Sequence, residues 1–411
     1  MKHLIKFLVA VVVTVMLGLT GIMHISANQL TFSVEPVLPS NQVDSKVGYF
    51  NIKLTPGQSQ DLVLKYTNNT KKSITVNGSV SPAKTNTNGV VDYNAPKIKN
   101  DSTLVYDVSK LVELPKEVAL KAGETKEITV HVTMPNKAFK GIIAGGLTFN
   151  DAAKDKENQS GKSTGMSIKN IYSFQIGLLM RQSTEAAFSD SQIQANGLKL
   201  NTVKAGQLNY RNVVYANLQN PLSVYGNQMV VDAQISKSRS SQILYSMAKG
   251  GIQMAPNSNF NFPIALGSGV RIKPGKYHLK LKAYSLYDNN GQYKTNVINN
   301  KIQSFRYRWV FDKEFVITSD QAQEYNKADV TIKKINWLFW ILLAVGILLL
   351  LALFFLLWFL KRRRDDKEVE IEEDVRDLNN ELTTIIRTVA MKEYKKLVKA
   401  GKSVRLVDKD R

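Results

Sequence analysis

The chain has 411 residues, no cysteine and a formal charge of +21, from 55 Lys and Arg against 34 Asp and Glu. That length is enough for two or three domains that each bury a core. Without cysteine there is neither a disulfide framework nor a thiolate metal site. If exported, such a chain is held by buried area alone, which fits bacterial surface proteins better than secreted eukaryotic ones.

Lys2 and Lys6 precede an apolar run from Phe7 to about Met23, which ends in Ile25, Ser26 and Ala27. This is the charge, apolar core and small-residue order of a secretory signal, and it predicts residues 1–27 as a signal peptide cleaved after Ala27. An uncleaved anchor is the alternative.

From Leu30 to about Asp320 the chain is built of short runs rich in Val, Ile, Thr, Tyr and Phe, separated by Gly, Pro and Asn clusters. Strict alternation in LKAGETKEITVHVTMP puts Ile128, Val130 and Val132 on one face and Glu127, Thr129 and His131 on the other. The same device occurs in LTPGQSQDLVLKYTN, where Leu62, Leu64 and Tyr66 alternate with Asp61, Val63 and Lys65 after Gly57. Many short strands with regular turns predict an all-β fold of two tandem immunoglobulin-like β-sandwiches. The charged stretch DAAKDKENQSGKSTG (151–165) reads as linker or long hairpin loop, so the boundary is drawn there, giving domains at 28–160 and 161–330. The alternative is that GIIAGGLTF and IKNIYSFQIGLLMRQ, on either side, pair as the last hairpin of the first sandwich.

Two strands of the second domain offer binding candidates. In GKYHLKLKAY, Lys276, His278, Lys280 and Lys282 project from one face, a cationic stripe along which an anionic polymer could lie; lysines guarding an edge strand are the competing explanation. In SFRYRWVF, Phe305, Tyr307, Trp309 and Phe311 share a face that belongs in the core, leaving Arg306 and Arg308 opposite as planar donors for phosphate or carboxylate.

Trp337 to Leu360 is uncharged and would be about 36 Å long as a helix, enough for a hydrocarbon layer of about 30 Å. Trp337, Trp340 and Trp358 mark its ends, and Lys361 to Arg364 follow at once, which the positive-inside rule places in the cytoplasm. The sequence therefore predicts a single-pass protein of the cell membrane, with residues 28–336 outside, a transmembrane helix at 337–360 and residues 361–411 as a cytoplasmic tail. That tail takes 15 of the cations and 12 of the anions and the signal two Lys, so the exterior carries +16. A basic exterior favours anionic wall polymer or membrane surface, and export argues against nucleic acid. Within the tail, Ile371, Val375, Leu378, Leu382, Ile385 and Val389 are spaced as a heptad seam, which predicts a cytoplasmic helix over 368–400 that self-associates or docks.

Nothing in the chain suggests catalysis or a cofactor. Beyond the signal only His131 and His278 remain, each at an outward strand position and neither in a metal-binding spacing. No nucleophile elbow, phosphate loop or dinucleotide fingerprint occurs in a credible context. A glycosidase with two carboxylates is the enzymatic alternative, but acidic residues are sparse outside and none sits in an aromatic apolar setting.

The mature start FSVEPVLPSNQ (Phe32 to Gln42), followed by GYFNIKLTPGQSQDLVLKYTN and KAGETKEITVHVTMP, resembles the WxL-interacting proteins of Gram-positive bacteria. The resemblance continues through KGIIAGGLTF, IYSFQIGLLMRQ and RYRWVFDKEF to the span. It implies a peptidoglycan-binding β-domain, then a β-domain that binds WxL-domain surface proteins or host extracellular matrix, on a C-terminal anchor. The expected function is a non-catalytic surface adaptor, and the alternative is an adhesin or sensor that signals through the cytoplasmic helix.

Overall fold

Alternating apolar and polar residues build two antiparallel-rich sandwiches up to Ile332, in one compact unit. A computed structural model describes residues 30–153, 172–333, 336–377 and 380–407. The expected signal at 1–27 and the boundary drawn between 160 and 161 lie outside the described residues.

The first sandwich comprises β1 (Phe32–Val37), β2 (Phe50–Lys53), β3 (Ser59–Asn68), β4 (Ile74–Pro82), β5 (Lys84–Thr85), β6 (Val91–Asp92), β7 (Val112–Glu113), β8 (Glu117–Leu120), β9 (Thr125–Thr133), β10 (Ile143–Asp151) and β11 (Ser173–Arg181). One sheet runs β1-β3-β9-β7, the other β2-β11-β10-β4-β8, and β5 pairs with β6 alone. The two similar stretches are neighbours: β3 and β9 pair antiparallel with Leu64 opposite Ile128 and Leu62 opposite Val130. Each is entered through a glycine with positive φ, Gly57 at 74° and Gly123 at 66°, a conformation that L side chains resist. Leu62, Leu64, Tyr66, Val130, Leu147 and Phe149 are fully buried between the sheets. Each such side chain contributes about 1.5–3 kcal/mol through burial. The boundary at 161 would assign β11 to the second domain. Instead β11 completes the first, pairing antiparallel with β10 and parallel with β2, because Ile176, Leu178 and Met180 fit its core.

The second sandwich packs a three-stranded sheet, β12 (Lys199–Leu208), β13 (Arg211–Asn220) and β16 (Ser258–Ala265), against a five-stranded one. That larger sheet has the order β15-β14-β17-β19-β18, from β14 (Gly226–Lys237), β15 (Ile243–Met254), β17 (Gly275–Tyr287), β18 (Tyr293–Thr295) and β19 (Gln303–Ile317). Two short helices, α1 (Asp190–Asn196) and α2 (Ser319–Ala328), begin with capping boxes from Ser189 and Thr318.

The remainder forms a separate compact unit from Lys333 on. Its α3 (Trp337–Asp365) is long and apolar enough to cross a membrane, and its apolar side chains are exposed. The helix expected over 368–400 is not formed. In its place are β20 (Glu368–Arg376) and β21 (Leu382–Ala390), followed by a helix only at α4 (Met391–Lys399) and by β22 (Val404–Leu406). The heptad positions also satisfy a hairpin, with Ile371 and Val389 buried. Thr383, Thr384, Ile385, Ile386, Thr388 and Val389 make the second half β-branched, which favours strand. Asn380, at φ 66°, turns the chain between them.

Candidate functional site

The sequence-derived candidates lie on the outer face of the five-stranded sheet. Tyr277, Leu279, Leu281 and Ala283 enter the core, while Lys276, Lys280 and Lys282 stay exposed. β17 is paired on both sides, with β14 and β19, so its lysines do not protect an edge. Acidic residues divide the stripe: Asp232 stands opposite Lys282, Asp312 opposite Lys280, and Glu314 opposite His278. His278 contacts Asp312. Burial raises the Asp232 carboxyl above its usual range, and the charge of Lys282 opposes this. Arg306 is held by Asp288 at 3.2 Å and lies 3.9 Å from Asp190. Arg308 stacks over the Tyr293 ring at 4.7 Å. The structure thus brings the three lysines together but ties up both arginines.

A different set of residues meets where the two sandwiches join. The outer face of the β2-β11-β10 sheet is formed by Asn51, Gln175, Gly177, Leu179 and Arg181, with Ala144 and Gly146 beside them. Small residues keep this floor low: a Cβ on Gly146 would lie 2.4 Å from the Cβ of Tyr93, so only glycine admits that ring. Tyr93 in turn meets Tyr225 of the second sandwich, phenol to phenol at 3.1 Å. Burial raises both phenols above their ordinary range, Tyr225 the more strongly, so they stay neutral.

The join is held by buried polar contacts. The Asp101 carboxylate accepts from Gln219 Nε2 at 2.9 and 3.0 Å and from Asn259 Nδ2 at 2.5 Å. Thr85 Oγ1 lies 2.6 Å from Ser258 Oγ and accepts from Ala255 N at 3.0 Å. Gln253 N donates to Gly89 O, and Ile142 N to Ser223 O, each at 2.8 Å. Burial alone would raise the Asp101 carboxyl, but the hydrogen bonds from Thr103, Asn259 and Gln219 outweigh it and hold the carboxyl below its usual range.

Between the sandwiches is a hollow of about 530 Å³, lined by Tyr49, Asn51, Tyr93, Gln175, Arg181 and Tyr225, among others. At Ile142 and Arg181 it meets a second hollow of about 450 Å³ that reaches Lys140 and Glu185. Asn51 is only 7% exposed, yet among the described residues its Oδ1 has no partner, nor has Arg181 Nε. Among the described residues no group of three His, Asp or Glu could hold a metal ion.

The family models match in order, the WxL Interacting Protein peptidoglycan binding domain over residues 32–151 and the host binding domain over residues 163–327. The chain belongs to the WxL-interacting protein family. Among curated proteins none matches. Solved structures that resemble this family member include the E. coli chaperone DraB, 11% identical over 70% of this chain and 98% of that one, with a TM-score of 0.25. Another is the Pseudomonas aeruginosa CupB2 chaperone, 9% identical over 62% and 92%, with a TM-score of 0.23. At those scores the likeness adds nothing to the reading of the site.

The groove of this WxL-interacting protein escaped sequence reasoning because its walls come from both sandwiches. One signal was present: in SFQIGLLMR, Gln175, Gly177 and Arg181 share the parity opposite the core, and a glycine inside a strand marks close approach.

Proposed function

We propose that the protein is a non-catalytic, membrane-anchored surface adaptor that holds peptidoglycan and a WxL-domain surface protein or host matrix near the membrane. The observation that carries this reading is the joined pair of sandwiches with a polar, tyrosine-lined groove, in a chain that also contains one long, uniformly apolar helix. The described family domains, one for peptidoglycan and one for host binding, support the two kinds of partner. On this reading α3 spans the membrane, the sandwiches lie outside and the small unit after the span is cytoplasmic. The mixed-charge face bearing Lys276, Lys280, Lys282, Arg306 and Arg308 is the surface proposed for an acidic protein partner.

A full-length preparation in detergent micelles, sedimented with purified peptidoglycan stripped of phosphate polymers, tests the proposal. Binding is expected to persist as salt rises, since a shaped groove is less screened than exposed charge, with no release of reducing ends or amines. Failure to co-sediment would reject the adaptor reading, and release of such products would replace it with a hydrolase. The folded unit after the span favours a second reading, an adhesin or sensor that reports occupancy across the membrane.

A further inference from the structure

We propose that the groove between the sandwiches is a composite subsite for a wall-glycan segment whose N-acetylmuramic acid bears a free lactyl carboxylate, with no stem peptide attached. In it Arg181 takes the anionic group, Asn51 and Gln175 take amide and hydroxyl groups, and Tyr49 and Tyr93 offer ring faces. The inference rests on the peptidoglycan reading and goes beyond it, because it places the ligand against both sandwiches rather than on the first alone.

Unmet hydrogen-bonding capacity is the first ground. Asn51 is more than nine-tenths buried, lines the hollow, and finds no donor for its Oδ1 among the described residues. A buried polar atom in that state is costly unless a ligand or water satisfies it. Arg181 Nε is in the same position. Burial lowers the pKa of this guanidinium, and the groups that act against that are the phenols of Tyr49 and Tyr225 rather than a carboxylate. Among the described residues no carboxylate is ion-paired with this half-buried cation, which favours an anionic ligand, and the planar fork of arginine suits a carboxylate.

The rest of the lining selects the class of anion. A free phosphate or a phosphate polymer would call for several cations, and among the described residues Arg181 is the one cation lining the larger hollow. Amide side chains (Asn51, Gln175, Asn227 and Gln253) and tyrosines instead match a sugar with hydroxyls, an N-acetyl amide and a C–H face. A volume of about 530 Å³ lies within the usual range of about 300–1,000 Å³ for such sites. Continuation past Arg181 into the second hollow leaves room for a chain to pass rather than end.

The probes are the disaccharide of N-acetylglucosamine and N-acetylmuramic acid, its neutral counterpart di-N-acetylchitobiose, and stripped peptidoglycan, each offered to the full chain in micelles. The unaltered protein is expected to bind the acidic disaccharide at least tenfold more tightly than the neutral one. Arg181→Gln should erase that difference. Gly177→Leu should weaken both, since a Cβ there meets nothing closer than 3.5 Å but a longer side chain fills the hollow. Lys65→Ala, exposed on the other sheet of the first sandwich and outside the groove, should change neither. If Arg181→Gln lowers the thermal midpoint, Gln175→Ala, at an exposed position, is expected to weaken the acidic disaccharide in its place. Wall binding that survives Gly177→Leu and Gln175→Ala unchanged would overturn the groove and leave the peptidoglycan reading intact. No wall binding by the unaltered protein would overturn both. Competition by inorganic phosphate or an acidic peptide, without competition by the disaccharide, would also overturn the groove assignment.

Discussion

Replacing Asp101 by alanine should loosen the join between the sandwiches. Its carboxylate is 8% exposed and accepts from Gln219, itself 8% exposed, and from Asn259 on the other sandwich. Asp101→Ala removes the acceptor for the Gln219 and Asn259 amides and for the N–H and hydroxyl of Thr103, at about 1–3 kcal/mol for each buried donor left unmet. Water entering the gap recovers part of this, so the net loss should be about 2–4 kcal/mol at neutral pH, several degrees in the midpoint of the unit. The folded pKa of Asp101 lies below its ordinary value. Its contribution is therefore complete above the unfolded value of about 3.9 and is lost as pH falls through the folded value. Calorimetry of wild type and variant at pH 7 and again near pH 2 should show a wide gap that narrows on acidification. Equal midpoints at pH 7, or a gap that persists undiminished in acid, would refute the role given to this carboxylate.

Gly146→Ala should cost about 1–3 kcal/mol through overpacking, because the new Cβ meets Tyr93 at 2.4 Å; denaturant melts and the groove-binding assay should both register it. The segment 366–407, studied by circular dichroism in the full-length chain against a truncation at Asp366, should contribute strand signal that does not depend on concentration. Helix that grows with concentration would restore the heptad reading. Protease added to intact protoplasts should spare an epitope at Arg411, and its digestion there would reverse the proposed topology.

Period-two alternation made the sandwiches legible, since Leu62, Leu64, Tyr66, Ile128 and Val130 occupy the inward positions their parity demands. The apolar stretch from Trp337 was legible for a similar reason, a uniform property over a long run. Where one pattern served two structures, the sequence was ambiguous. The apolar residues of 371–389 fit a helix seam and a hairpin alike, and β-branching rather than spacing decided between them. Asn51, Tyr93, Arg181 and Tyr225 are far apart in the chain and are brought together only by the joining of two sheets, so no local pattern marks them as a group.

The position of β11 bears on the order in which the chain can fold. Phe50 and Leu178 are parallel partners, so β2 cannot acquire this neighbour until the chain has been made as far as Arg181. Pairings so distant in sequence are slow to form, because loop closure must precede any gain from contact. Until then the β10 edge and the incomplete first core remain open to mispairing. A nascent chain stalled before Arg181 would accordingly present an unfinished sheet, vulnerable to quality-control proteases, and a fragment cut at residue 160 would remain in that state.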